Sequence, residues 1–339
     1  MKVANFSLFV LVVVSANAFC STAVVFDSNY RSEVYATYPS SKSLGQVGGM
    51  EFDSEGNLFV SHYGAEFEGN DGSIYKITPD GNANEFVSGL HFPGNMVWTG
   101  GTDYGDYLYV GDGTRPTNGR RGGIYRVDMQ GNISPFATAG NEPYALGFDE
   151  EVGMMFAGTR GDDHLDKVLS DGSTQLFSGF PYGMNGGGPA GIDINNGDKY
   201  PGYMYLSNDG KGENYSGVFK LDENGSASRV AEGILTSFRL GFDDVGDFDN
   251  SLFATGISRE HPGLWSLYKI EEDGTYSLFA TGGDMHLNVF TFGPDGAIYA
   301  ATRAWYSDKV TISRISLIPE PATLALFGVG VGAILRRKQ

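Results

Sequence analysis

The chain has 339 residues, 50 of them glycine, with no Gly-X-Y period that would indicate collagen. Aromatic residues make up 13%, which excludes a disordered chain. A net charge of −18 argues against nucleic acid as a partner, and a single cysteine excludes a disulfide framework or a cysteine-based zinc site.

The N-terminus begins with Lys2, an unbroken apolar run from Leu8 to Val14, and then Ala16-Asn17-Ala18. This pattern predicts a secretory signal peptide within residues 1–23, with cleavage after Ala18 or, through Ser21-Thr22-Ala23, after Ala23. Glu33 to Tyr38 then reads as an isolated strand resembling the last strand of a later repeat.

From there a unit recurs six times. Its first anchor is a triplet with apolar outer residues: Met50-Glu51-Phe52, Met96-Val97-Trp98, Leu146-Gly147-Phe148, Ile192-Asp193-Ile194, Leu240-Gly241-Phe242 and Phe290-Thr291-Phe292. Because side chains alternate along a strand, the outer two share a sheet face. A second strand follows (Leu58-Phe59-Val60 in the first copy), then a third that pairs a basic with an aliphatic residue, as in Lys76-Ile77 and Arg314-Ile315. Turns such as Asp80-Gly81 and Asn224-Gly225 then lead to a fourth strand. Four antiparallel strands per unit, repeated in a ring, are the blades of a β-propeller. The expected fold is therefore all-β, a six-bladed propeller over residues 30–317. The last copy lacks a fourth strand, and the Glu33 to Tyr38 strand is expected to supply it and close the ring.

The basic residues of the third strands are read as stems packed on the blade with their charges in solvent. The longer loops join strands two and three on one face, and function concentrates on such loops. The candidate binding residues there are Arg115, Arg121, His164, Arg259, His261, Arg303, Trp305 and Tyr306. Arginine forks suit carboxylates and aromatic faces suit sugars, so extracellular polysaccharide is the expected ligand class, with another surface protein as the alternative. The approaches to the inner strands add Arg239 and an oxygen-rich set, Asn95, Glu142 and Asn288, that would suit Ca²⁺. The acidic stretch Asp243 to Asn250 reads as a long turn.

At the C-terminus, Pro319-Glu320-Pro321 precedes an apolar run from Ala322 to Leu335 and the basic cluster Arg336-Arg337-Lys338. The run falls short of the ~20 residues a stable span needs, and the basic end would stay on the cytoplasmic side. Residues 318–339 resemble the PEP-CTERM sorting signal of bacterial exosortase systems. That resemblance implies export, transient anchoring in the inner membrane through the C-terminal helix, processing by an exosortase-type enzyme, and delivery to the cell surface or extracellular matrix. Without Lys2, Arg336, Arg337, Lys338 and Glu320, the body keeps 19 basic and 40 acidic side chains, a net charge of −21.

The repeats, in segments such as Gly49-Met50-Glu51-Phe52-Asp53-Ser54-Glu55-Gly56-Asn57-Leu58-Phe59-Val60, resemble the six-bladed superfamily of NHL-repeat and senescence-marker-protein/gluconolactonase proteins. The lactonase branch implies a divalent ion held by Glu, Asn, Asn and Asp at the inner strands. Asn95 matches, but Gly48-Gly49 stands where the Glu is expected and Ala190 where the Asp is expected. The expected function is thus a surface binding or scaffold module and no enzyme, with a metal-dependent gluconolactonase-like hydrolase as the alternative.

Overall fold

The computed structural model describes residues 22–39, 46–64, 71–113, 122–160, 162–179, 188–195, 197, 199–209, 216–283, 285–303 and 309–319. Among them there is no helix, and the strands form six antiparallel sheets. The inner strands are Val47–Phe52, Pro93–Trp98, Pro143–Asp149, Pro189–Ile194, Ile234–Phe242 and His286–Phe292. The chain is an all-β six-bladed propeller, and every inner strand contains one predicted triplet.

The first four sheets each consist of four consecutive strands. The last two borrow from the N-terminus. Val24–Val25 adds a fifth strand to the fifth sheet by pairing with Tyr276–Thr281. Tyr30–Pro39 pairs antiparallel with Lys309–Leu317 and occupies the outer position of the sixth sheet.

A repeated contact sets the spacing between sheets. The hairpin glycines Gly81, Gly131, Gly172, Gly225 and Gly274 have φ between 80° and 84°, a left-handed conformation that costs glycine nothing. A Cβ on each would strike a carbonyl of the preceding sheet's outer strand, at Tyr35, Phe86, Phe136, Phe177 and Val230 in turn. Tyr35 of the N-terminal strand therefore meets the first sheet as the ordinary fourth strands meet their neighbours.

The core lies between adjacent sheets. Met50, Leu58 and Val60 of the first sheet pack with Val289, Ala301 and Ile312 of the sixth, and the other clusters repeat this around the ring. The first residue of every triplet is buried, as its apolar character predicts. Each inner strand also shifts register once against its neighbour, just before the triplet. Such bulges bend the strand and increase its twist. The six basic residues of the third strands are half-buried, and Lys76, Arg126 and Lys167 lie over aromatic rings. The acidic stretch forms a turn, in which the Asp243 carboxylate accepts the N–H groups of Gly246, Phe248 and Asn250 at 2.9, 2.7 and 3.0 Å.

Candidate functional site in the axial channel

The inner strands of all six sheets line a cavity of about 330 Å³ on the axis. It lies at the C-terminal ends of those strands, on the side of the short turns between strands one and two. Its wall includes the middle residues of the triplets: Glu51, Val97, Gly147, Asp193, Gly241 and Thr291. Glu51 and Asp193 belong to the first and fourth sheets, three steps apart in the ring.

Each of these carboxylates is held by the next sheet. The backbone N–H of Trp98 donates to Glu51 Oε1 at 3.2 Å, and that of Phe242 donates to Asp193 Oδ2 at 2.7 Å. Asp193 also accepts the N–H of Ile194 at 2.9 Å. Desolvation dominates over these bonds. It pushes both carboxyls up to about 7, from ordinary values of 4.5 and 3.8. Arg239, 7% exposed, reaches from the fifth sheet to the first, where Nη2 donates to the carbonyl of Met50 at 3.2 Å. Burial lowers its pKa, and the charges of Glu51 and Asp193 oppose that shift. Glu150 and Asp244 complete the charged lining. Arg239 Nε is buried and has no hydrogen-bond partner.

The loop-side end of the axis is apolar. Tyr63 stacks on Phe92 with ring centroids 3.9 Å apart, and Tyr144 packs against Phe92 and Phe238. The Tyr63 and Tyr144 hydroxyls share a hydrogen bond. Arg160, ion-paired with Asp209, lies over the Tyr144 ring. Ala190 is fully buried in this cluster.

Apart from Arg239, the sequence-predicted residues that the structure describes lie outside the lining of the cavity. His164 Nε2 meets Asp166 Oδ2 at 3.1 Å on the loop side. Arg259 and His261 are exposed in the turn after Leu252–Ser258, where the N–H of His261 donates to Ser258 Oγ. Arg303 is 8% exposed, so it presents little of its guanidinium to solvent. Arg115, Arg121, Trp305 and Tyr306 lie outside the described residues, as do Glu320, Pro321, Arg336 and Arg337 of the sorting motif, while Pro319 is exposed. In the oxygen-rich set, Asn95 is fully buried and neither amide atom has a partner. Glu142 and Asn288 are half-buried, and each accepts a bond through its backbone carbonyl, from the N–H of Arg160 and from Thr255 Oγ1. Among the described residues, no three His, Cys, Asp or Glu side chains are grouped to hold a metal ion.

Sequence reasoning reached Arg239 but passed over Glu51 and Asp193. The available signal lay in the triplet middles, where two of six positions are acidic while the others are glycine, valine or threonine.

Residues 317–339 match the PEP-CTERM protein-sorting motif. The motif implies export, a membrane-anchored C-terminal segment before exosortase cleavage, and surface display. No curated protein matches the chain. Similar solved structures include a gluconolactonase from Xanthomonas campestris, at 13% identity and a TM-score of 0.60, covering 88% of this chain and 96% of that one. A glucose dehydrogenase matches at 11% identity and 0.60, covering 84% and 98%. A virginiamycin B lyase from Staphylococcus aureus matches at 12% and 0.52, covering 85% and 100%. At these identities the likeness is one of fold, which many unrelated functions share.

Proposed function

We propose that this protein is a surface-displayed binding module whose ligand site is the axial cavity. The observation that carries this reading is the charged lining of an otherwise filled axis: the buried Arg239 and the half-buried Glu51 and Asp193 meet at one mouth. Convergent polar groups in a concave site are the ordinary mark of ligand binding. Extracellular polysaccharide is the partner class that fits a protein delivered to the surface. The outer strand Tyr30–Pro39 closes the ring in this reading, and deleting residues 33–38 should abolish cooperative melting. The binding test is a glycan screen with the full-length protein. Retention should fall on Glu51→Gln, and equal retention of variant and parent would remove the cavity from consideration.

A metal-dependent lactonase is the second reading. Asn95, buried with an unpartnered amide, favours it, as one oxygen ligand for Ca²⁺. Ala190, packed among Tyr63 and Tyr144 where the lactonase pattern has Asp, opposes it. Metal analysis of the purified protein with a lactone hydrolysis assay separates the two. A bound divalent ion together with turnover lost in Asn95→Ala would establish the enzyme.

A further inference from the structure

Resting on the reading of the axial cavity as the ligand site, we propose that it takes a neutral, polyhydroxylated ligand: a small polyol or sugar, free or as a residue of a glycan. Arg239 carries the argument. Its guanidinium is buried at the cavity wall and anchored to the Met50 carbonyl through Nη2, while its Nε–H has no partner. A buried donor of this kind requires an acceptor. Glu51 and Asp193, which share the wall, require donors or a proton.

Charge narrows the class. A metal ion or an ammonium group would satisfy the carboxyls but would sit against the Arg239 guanidinium. An anion would satisfy Arg239 but would face Glu51, Asp193, Glu150 and Asp244. A hydroxyl group both donates and accepts and brings no charge, so several hydroxyls on one small frame answer both needs. The cavity, at about 330 Å³, lies at the small end of the range of ligand pockets.

The test is calorimetric titration of the full-length protein with glucose, galactose, myo-inositol, a neutral oligosaccharide, calcium chloride and glucuronate. At least one neutral compound should bind, and Arg239→Met and Glu51→Gln should each weaken it at least tenfold. Glu51→Gln keeps the side chain's size and replaces one acceptor oxygen by a donor, so it decides the matter if Arg239→Met does not fold. Equal affinity for monosaccharide and oligosaccharide identifies a free sugar, and tighter oligosaccharide binding identifies a glycan. Binding of calcium or glucuronate alone overturns the ligand class and leaves the cavity as a site. No binding by any probe, or neutral binding that both variants leave intact, overturns the site as well.

A second inference rests on the N-terminal strand and is independent of the cavity. We infer that the signal peptide is cut after Ala18. The residue pattern permits Ala16-Asn17-Ala18 or Ser21-Thr22-Ala23. Ala23, however, is part of the folded body. It is 3% exposed, in the same buried cluster as Phe248 and Phe279, and its N–H donates to the buried Ser313 Oγ at 2.9 Å. The next two residues pair with Thr281 and Ala280. A cut after Ala23 would remove that methyl group and the N–H that the buried Ser313 hydroxyl accepts. A cut after Ala18 keeps Ala23 as an internal amide. Water adds across the Ala18–Phe19 peptide bond, leaving a carboxylate on Ala18 and an ammonium on Phe19.

N-terminal sequencing of the exported protein tests this. The expected first residue is Phe19, and a start at Val24 or an uncut Met1 overturns the assignment. Ala23→Asp adds a second readout: it should leave the cleavage site unchanged and lower the melting temperature. A variant that blocks cleavage instead would make Ala23 the residue that the peptidase reads.

Discussion

At the loop-side mouth the axis is filled by rings, with Tyr63, Phe92, Tyr144 and Phe238 packed on one another; at the turn-side mouth the same inner strands enclose a charged cavity. The difference comes from which residues each strand brings to the axis. Near their starts the inner strands and adjoining segments supply large aromatic side chains. Near their ends the triplet middles are small or acidic. A ring of six similar blades has no intrinsic site, so a site arises where equivalent positions stop being equivalent. Glu51 and Asp193 are that departure, and Arg239 spans the space between them.

Removing the central ring of the plug should have the largest effect. Tyr144 is fully buried, packs against Tyr63, Phe92 and Phe238, and shares a hydrogen bond with Tyr63. Tyr144→Ala should cost about 3–5 kcal/mol in chemical denaturation, the usual range for deleting a buried aromatic side chain. A loss below about 1 kcal/mol would mean that these rings do not seal the axis.

The charged mouth should reveal itself through pH. Burial holds Glu51 and Asp193 near 7, above their ordinary values of 4.5 and 3.8. Between those limits the folded protein keeps protons that the unfolded chain releases. Stability should therefore fall as pH rises from about 4 to about 7 and level off above, by on the order of 3 kcal/mol for Glu51. The turn carboxylates Asp80, Asp128, Asp171 and Asp273 are shifted the other way by hydrogen bonds, so their contribution is lost only as pH falls below the ordinary carboxyl range. They leave the window clear. Urea unfolding at pH 5 and pH 8 should show Glu51→Gln losing about half of the parent's dependence, since Asp193 keeps its own share, and parallel slopes would sink this account.

The fold was legible in the sequence because the blade period depends on local signals: alternating apolar strands, Asp-Gly turns and a buried first residue in each triplet. The channel chemistry was only half legible. Arg239 stood out as a charge on an inner strand, but Glu51 and Asp193 sit between apolar neighbours, where an acid reads as the solvent side of an amphipathic strand. On an inner strand there is no solvent side, since the second face meets the next blade, and only the ring geometry reveals that. The loop residues stand out by their chemistry in long loops, and sequence alone carries no information on which of them are exposed. Arg303 ends a strand and is buried, whereas Arg259 and His261 stand in solvent.

That last contrast gives the smallest expected effect. Arg259→Ala and His261→Ala remove exposed side chains and should change stability by no more than about 0.5 kcal/mol. They should leave any ligand of the axial cavity bound as tightly as before, because the aromatic cluster separates the two mouths. Their readout is retention on an acidic glycan column at low salt, where a body of charge −21 is itself repelled. Retention of the parent and not of the double variant would show that the loop face holds acidic polysaccharide independently of the axis. A change in affinity at the axial cavity would instead show that the two mouths are coupled through the rings between them.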